Sequence, residues 1–388
     1  MKLDWIYGTI CIIFTTTFFI FILFELVIRW LHTIKVLKLP ITTQIKHTFI
    51  DPDYVPPDNY KSAWLSDYMD EAIQCFDHIA HKAYTYWISK PFKGDHINIE
   101  KNGLRRTVNL IRQPAQHRIL VLGGSTVWGW GVRDAATIPS YMSQYFAQHN
   151  FPIEVVNLGQ LGYVNMQNLI TLLMHHLLDK PSLVIFYEGL NDVLTSYQNR
   201  SADVAQNEMY RVLNFENMRR PSFLHYFSHT YIKKFYDYLL KDKTATPEIC
   251  QNRFFFYMLA KEMKNRLALN YKVIKSLSES FNFGYDFYWH PTLFSKTTKT
   301  TYEKKLFKSV SHYDEFYHQV THELASDFFK YQYVHNIASV LNIDDNAYID
   351  PWHVDEKSNL RIAEHIAKKS ILQIYKMNIP VERKIDVR

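Results

Sequence analysis

Between Ile119 and Asp192 the chain repeats one unit: a short apolar run, a glycine-bearing loop, then a stretch that reads as helix. Ile119 to Leu122 runs into Gly123-Gly124-Ser125, and Ile153 to Val156 into Asn157-Leu-Gly-Gln-Leu-Gly-Tyr163. Ser182 to Tyr187 runs into Glu188-Gly-Leu-Asn-Asp192. A spacing of about 30 residues leaves room for one crossover helix per repeat, which makes neighbouring strands parallel. Apolar runs without alternation are strands buried on both faces, so helices must cover the sheet twice over. Helices are predicted from about Ile138 to His149, with Pro139 at the start, and from Asn165 to Leu178. Phe281 to Trp289 reads as a fourth strand ending in His290-Pro291, and Ala347 to Ile349 as a short last one. Apolar residues recurring by threes and fours from Tyr302 to Phe328 predict one long amphipathic helix, and Glu356 to Tyr375 a closing helix.

The flanks are of a different kind. Trp5 to Phe24 gives 20 consecutive uncharged residues, the length that crosses a bilayer as a helix, with Trp5, Tyr7 and Trp30 near its ends. The run is too long for a signal sequence and lacks a small-residue cleavage site. We read residues 1–32 as a membrane anchor, in the bilayer through residues 5–28. Residues 33–97 read as a neck and N-terminal helical subdomain, with a proline-bearing linker at Asp51-Pro-Asp-Tyr-Val-Pro-Pro and a helix over Trp64 to Tyr86. Asn98 to Arg106 suggests a short strand and a turn at Asn102-Gly103. The main domain spans residues 98–376, with a helical, aromatic-rich insertion at 195–270 and a tail at 377–388. Lys2 precedes the span, whereas Arg29, Lys35, Lys38 and Lys46 follow it, a bias that places the domain in the cytoplasm.

Composition narrows the function. Hydrophobic residues make up 47% of the 388 and charged ones 21%, enough for a packed core. A net charge of +6 without any dense Lys/Arg block argues against nucleic acid. Cys11, Cys75 and Cys250 have no metal spacing, so no metal is expected, and a Cys75–Cys250 pair stays open. The 27 Tyr, 26 Phe and 8 Trp suit either an aromatic core or a groove that stacks sugar rings or acyl chains.

Ligands of open α/β sheets bind at the carboxyl ends of the strands, which is where Ser125 stands. As a nucleophile it needs a base, a carboxylate to orient that base, and donors for an oxyanion. Asp350 and His353, three residues apart before the final helix, supply the first two. Gly162 after strand two offers a bare backbone N–H, and Asn191 after strand three a side-chain amide. Singly, Ser125 is also an ordinary turn or phosphate loop, Gly162 a turn glycine and Asn191 a helix N-cap. His290 is a candidate for the site's wall, and His175-His176 reads as structural.

Together, Gly123-Gly124-Ser125-Thr126, Asn157 to Gly162, Gly189-Leu-Asn191-Asp192 and Asp350-Pro-Trp-His353 resemble the four blocks of the SGNH (GDSL-type) hydrolase superfamily. The resemblance covers about residues 98 to 376 apart from the insertion, and Asn102-Gly-Leu-Arg105 resembles its membrane-linked bacterial members. Glycine replaces the usual aspartate at Gly124. The resemblance implies a flavodoxin-like three-layer α/β/α sandwich and an acyl-enzyme mechanism without a cofactor. Ser125, Asp350 and His353 would then be catalytic, and the N–H groups of Ser125 and Gly162 with the Asn191 amide the oxyanion hole. It further implies hydrolysis or transfer of acyl esters, acetyl esters of envelope carbohydrate first, and hence an extracytoplasmic domain against the charge bias. An acyl-chain lipid esterase and a silent glycan-binding scaffold are the alternatives.

Overall fold

The computed structural model describes residues 2–33, 64–111, 113–219, 230–232, 235, 253–343 and 345–376. It divides into two units, Met1–Tyr54 with Met209–Cys250, and Val55–Glu208 with Gln251–Arg388. In the first, α1 (Lys2–Thr33) is a single helix most of whose apolar side chains are exposed, Ile28 being buried. It is long and apolar enough to cross a membrane. The proline-bearing segment at 51–57, Cys250 and the tail lie outside the described residues.

The second unit begins with α2 (Trp64–Asp77), shorter than predicted. The chain turns there into an antiparallel hairpin, β1 (Ile79–Lys82) with β2 (Tyr86–Ser89), whose rings at Tyr84 and Tyr86 both sit at positive φ. A second small pair joins β3 (Phe92–Lys93) to β4 (Asn98–Ile99), followed by the Asn102-Gly103 turn, where Gly103 has φ +81°. Then come β5 (His117–Gly123), α3 (Ser125–Trp128), α4 (Ile138–Gln148), β6 (Ile153–Asn157), α5 (Asn165–Thr171), β7 (Leu183–Glu188) and α6 (Leu190–Asn199). Past α7 (Glu208–Arg219), the chain continues with α8 (Arg253–Phe281), β8 (Gly284–Trp289), α9 (Thr301–Val310), α10 (Asp314–Ser326), β9 (Val334–Asn336) and α11 (Glu356–Lys376).

The sheet has the order β6-β5-β7-β8-β9, and every neighbouring pair in it is parallel. With β5 first in sequence this is the flavodoxin-like order, whose topological switch point lies between β5 and β7. Side chains alternate across β5. Ile119 and Val121 join Met142 and Phe146 of α4 and Ile362, Ala363 and Ile366 of α11 in one buried cluster. Leu120 and Leu122, equally buried, face the other layer. There Phe186 stacks on Phe287 at 4.7 Å, and Tyr271 of α8 meets Phe287 at 5.7 Å. The architecture is the three-layer α/β/α sandwich.

Several expectations are corrected. The fifth strand is Val334–Asn336, not Ala347 to Ile349: Tyr348 instead bridges antiparallel to Val354, closing the intervening loop on itself. The long helix expected over 302–328 is two helices. They are broken at Ser311–Tyr313, where the Ser311 hydroxyl donates back to the Lys308 carbonyl at 3.1 Å. The helix expected to Leu178 is regular only to Thr171 and passes through a wide turn at Leu172–His176. Residues 253–270, assigned on sequence to the insertion, are the first part of α8, a layer helix of the sandwich.

Candidate active site

Strand β5 ends at Gly123, and Ser125 opens α3 directly behind Gly124. Gly124 has φ −85°, open to any residue, so its need for glycine is one of space. A Cβ there would lie 2.2 Å from Nδ2 of Asn191. The turn is held from below: Asn157 Nδ2 donates to the Val127 carbonyl at 2.9 Å, and its Oδ1 accepts the Gly159 N–H at 2.9 Å. Gly159 in turn lies against the Trp128 backbone, where a Cβ would come within 2.3 Å of nitrogen.

The loop Asp350-Pro-Trp-His353 reaches this serine from the far end of the sequence. Ser125 Oγ donates to His353 Nε2 at 2.7 Å, and His353 Nδ1 donates to Asp350 Oδ2 at 2.7 Å. A carboxylate only accepts, so it fixes the ring proton on Nδ1 and leaves Nε2 free to accept from the serine. The other oxygen, Asp350 Oδ1, accepts the backbone N–H groups of Trp352 and His353 at 2.7 and 2.8 Å. The loop is itself clasped: the Ile349 N–H donates to the His353 carbonyl and the Asp355 N–H to the Ala347 carbonyl, both at 3.0 Å. Trp352 packs on Phe294 and Tyr313, so the break after α9 presents a ring to this loop.

Of the two remaining predicted residues, Asn191 itself and Tyr163, the residue after Gly162, both lie against Gly124. Gly162 has φ +73°, the left-handed region that favours glycine. Asn191 Nδ2 donates to the carbonyl of Tyr163, the next residue, at 2.8 Å, which leaves its second amide proton for another acceptor. Trp87 of β2 covers this loop, its indole donating to the Leu161 carbonyl at 2.7 Å.

His290 lines the same place. With His353, Trp130, Tyr187 and Trp352 it bounds a cavity of about 10 Å³, room for about one water. It stacks on Tyr187, and its Nε2 accepts the Leu190 N–H at 3.1 Å while Nδ1 faces the Pro291 carbonyl at 3.0 Å. Burial drives its pKa down to about 4, so the ring is neutral. His176 pairs with Asp179 on the surface, away from these groups in its contacts.

Sequence reasoning missed the supports. Arg105 is buried, stacks on Trp128 at 4.5 Å, pairs with Asp134 at 2.9 Å, and donates to the carbonyls of Trp128, Gly129 and Val132. Its signal was the Asn-Gly-Leu-Arg motif. Tyr68 of α2 accepts the Gly131 N–H at 2.6 Å and donates to the Gly129 carbonyl. Behind Asn191, Asp192 accepts the Asn165 N–H at 2.9 Å, and Glu188 accepts from Asn168 at 2.8 Å. Burial raises both carboxyls, Asp192 to about 7 and Glu188 well above its ordinary value, the latter also against the charge of Asp192.

No family model matches this chain, and no curated relative does. Solved structures similar to it include an acetylxylan esterase from Geobacillus stearothermophilus, at 9% identity over 66% of this chain and 94% of that one, TM-score 0.37. The psychrotrophic esterase EstA from a Pseudoalteromonas species gives 13% over 66% and 98%, TM-score 0.35. A protein from Desulfitobacterium hafniense assigned to the G-D-S-L lipolytic family gives 13% over 65% and 98%, also TM-score 0.35.

Proposed function

We propose that this chain is a serine esterase or O-acyltransferase of the SGNH type, working through an acyl-enzyme. One observation carries the reading: the unbroken line Ser125 Oγ, His353 Nε2, His353 Nδ1, Asp350 Oδ2, with 2.7 Å at both hydrogen bonds. His353 takes the serine proton as Oγ attacks an ester carbonyl, and Asp350 stabilises the imidazolium. Ser125 is the first residue of α3, so its N–H is among the first-turn donors without an intrahelical acceptor. It acts with the Gly162 N–H and the spare Asn191 amide proton on the developing oxyanion. His353 returns its proton to the leaving alcohol. Water or a sugar hydroxyl, deprotonated by the same ring, then attacks the acyl-enzyme and releases Ser125.

We assign the acyl group as small, acetyl first, because Trp130, its ring 6.0 Å from that of His353, and the adjoining Trp352 crowd the base. The acceptor or donor alcohol is read as envelope carbohydrate, with the domain outside the cytoplasm and α1 as its anchor. Rings such as Trp87, bonded to the loop that carries Gly162, are the kind of surface sugars stack on. The test is labelling with a fluorophosphonate serine probe. Wild type should be labelled and should cleave aryl acetates faster than aryl octanoates, whereas Ser125→Ala should do neither. An unlabelled wild type without aryl-ester turnover rejects the enzyme, and protection of the domain from protease in spheroplasts rejects the envelope substrate.

A further inference from the structure

A second cavity, of about 610 Å³, opens at the amino ends of β8 and β9 and falls in the size range of small-molecule sites. The six residues of β8 separate it from His290, so it lies roughly 20 Å from the catalytic edge of the sheet. Tyr271 and Lys272 of α8, Tyr285 of β8, Tyr331 and Tyr333 ahead of β9, and Gln373 of α11 line it.

The rings form a braced platform. Tyr271 and Tyr285 are buried, and the Tyr285 hydroxyl donates to that of Tyr271 at 3.3 Å. The half-buried rings rest on these two, Tyr331 at 5.0 Å from Tyr271 and Tyr333 at 5.3 Å from Tyr285. The backbone between them is pinned from both sides. The Tyr271 hydroxyl donates to the Gln332 carbonyl, and the Phe287 N–H donates to the Tyr333 carbonyl at 2.8 Å. Tyr333 is held at φ +70°, where a bulky side chain is strained. Such strain persists only where the surroundings over-determine the residue, and it gathers at ligand sites.

The second observation is Gln373. It is 6% exposed, yet its side-chain amide has no hydrogen-bond partner among the described residues. A buried amide left unmet is destabilising, and something entering the cavity it lines would relieve it. Charge at the rim is slight: Lys275 stands 4.0 Å from Glu279, which leaves Lys272 as the cation without an acid beside it among the described residues. A phosphate group would find one uncommitted cation, and an acyl chain would bury the amide unmet. A sugar suits both halves of the site. Its C–H faces lie against the negative faces of aromatic rings, and its hydroxyls, donor and acceptor at once, match an amide that is also both.

We propose that this cavity binds a glycan segment, its sugar rings stacked on Tyr331 and Tyr333 and a hydroxyl bonded to Gln373. The site uses none of the residues around Ser125, so it stands whether or not that serine is a nucleophile.

Full-length Ser125→Ala protein in detergent, chosen so that no turnover intrudes, is titrated with xylohexaose, cellohexaose, chitohexaose and hexagalacturonate. Saturation transfer to the sugar ring protons is followed by NMR. At least one of the four should bind, and its Kd should rise about tenfold when Tyr331→Ala and Tyr333→Ala are added together. Gln373→Leu fills much the same space without the amide. It should weaken binding about fivefold while the thermal midpoint stays level or rises, which keeps the test decisive if the tyrosine variant does not fold. Binding of none of the four glycans overturns the proposal, as does a Gln373→Leu protein that binds as tightly as its parent. Fluorophosphonate labelling of the wild type, read separately, reports on Ser125 alone.

Discussion

Asp350 uses both of its carboxylate oxygens. One oxygen holds two backbone N–H groups and the other holds the imidazole. Asp350→Asn retains an acceptor for the backbone but turns an amide N–H toward Nδ1, which drives the ring to the wrong tautomer. Turnover of an aryl acetate should fall about 10⁴-fold, with little change in thermal midpoint. Gly124 tests the oxyanion side. A methyl group there collides with the Asn191 amide at 2.2 Å, so Gly124→Ala should move that donor and cost about 10²–10³ in kcat. Asn191→Ala should cost the same, and the double variant little more, since both remove one donor. Glycine at position 124 thus has a local steric meaning.

Elements, rather than residues, explain what the sequence showed and what it hid. Strands β5 and β7 were legible because each is an apolar run closed by a glycine, a signal internal to the run, and β6 because its three apolar residues lead into a glycine-bearing loop. Ser125, Gly162 and Asn191 were picked out by the loop positions these strands define, whereas Asp350 and His353 were picked out by their spacing before the closing helix, the strand expected ahead of them being absent. Strand β9 was not: it has three residues, and its place depends on pairing with Phe287 to Trp289. The hairpin β1–β2 was hidden because its turn uses Tyr84 and Tyr86 at positive φ, where no glycine marks the reversal.

His290 joins two such elements, since its Nε2 accepts the Leu190 N–H at the start of α6. Its folded pKa, lowered to about 4 from the ordinary 6.5, means that between these pH values the unfolded chain holds the extra proton. Stability therefore rises with pH across this window and is lost as pH falls through it, by roughly 3 kcal/mol in all. In His290→Gln this acid slope should vanish. The drop in urea midpoint from pH 7 to pH 4.5 would be smaller than in wild type.

At the scale of the whole sheet-bearing unit, residues 64–106 act as a brace. Glu71 of α2 accepts the N–H groups of Asp95, His96 and Ile97, and Gln160 binds Ser89 and Gly103. Arg105 ties this brace to the loop after the nucleophile turn. Arg105→Ala would leave Asp134 and the buried carbonyls of Trp128 and Gly129 without their cation, at a cost of about 3–5 kcal/mol. A thermal melt should show a drop of several degrees, and a soluble form lacking residues 64–106 should not fold.

The clasped loop between Ala347 and Asp355 has a mechanical consequence. Its rungs, the bridge of Tyr348 to Val354 and the Asp350 contacts all lie within nine residues, so acid and base move as one rigid cartridge. The Asp350–His353 distance is set by the cartridge, whereas the His353–Ser125 distance is set by how the cartridge seats against β5. Substitutions in the packing beneath it, at Phe294 or Tyr313, act on the seating alone. Alignment with the serine is thereby the one adjustable coordinate of this machinery, and the place where selection could retune rate without rebuilding the base.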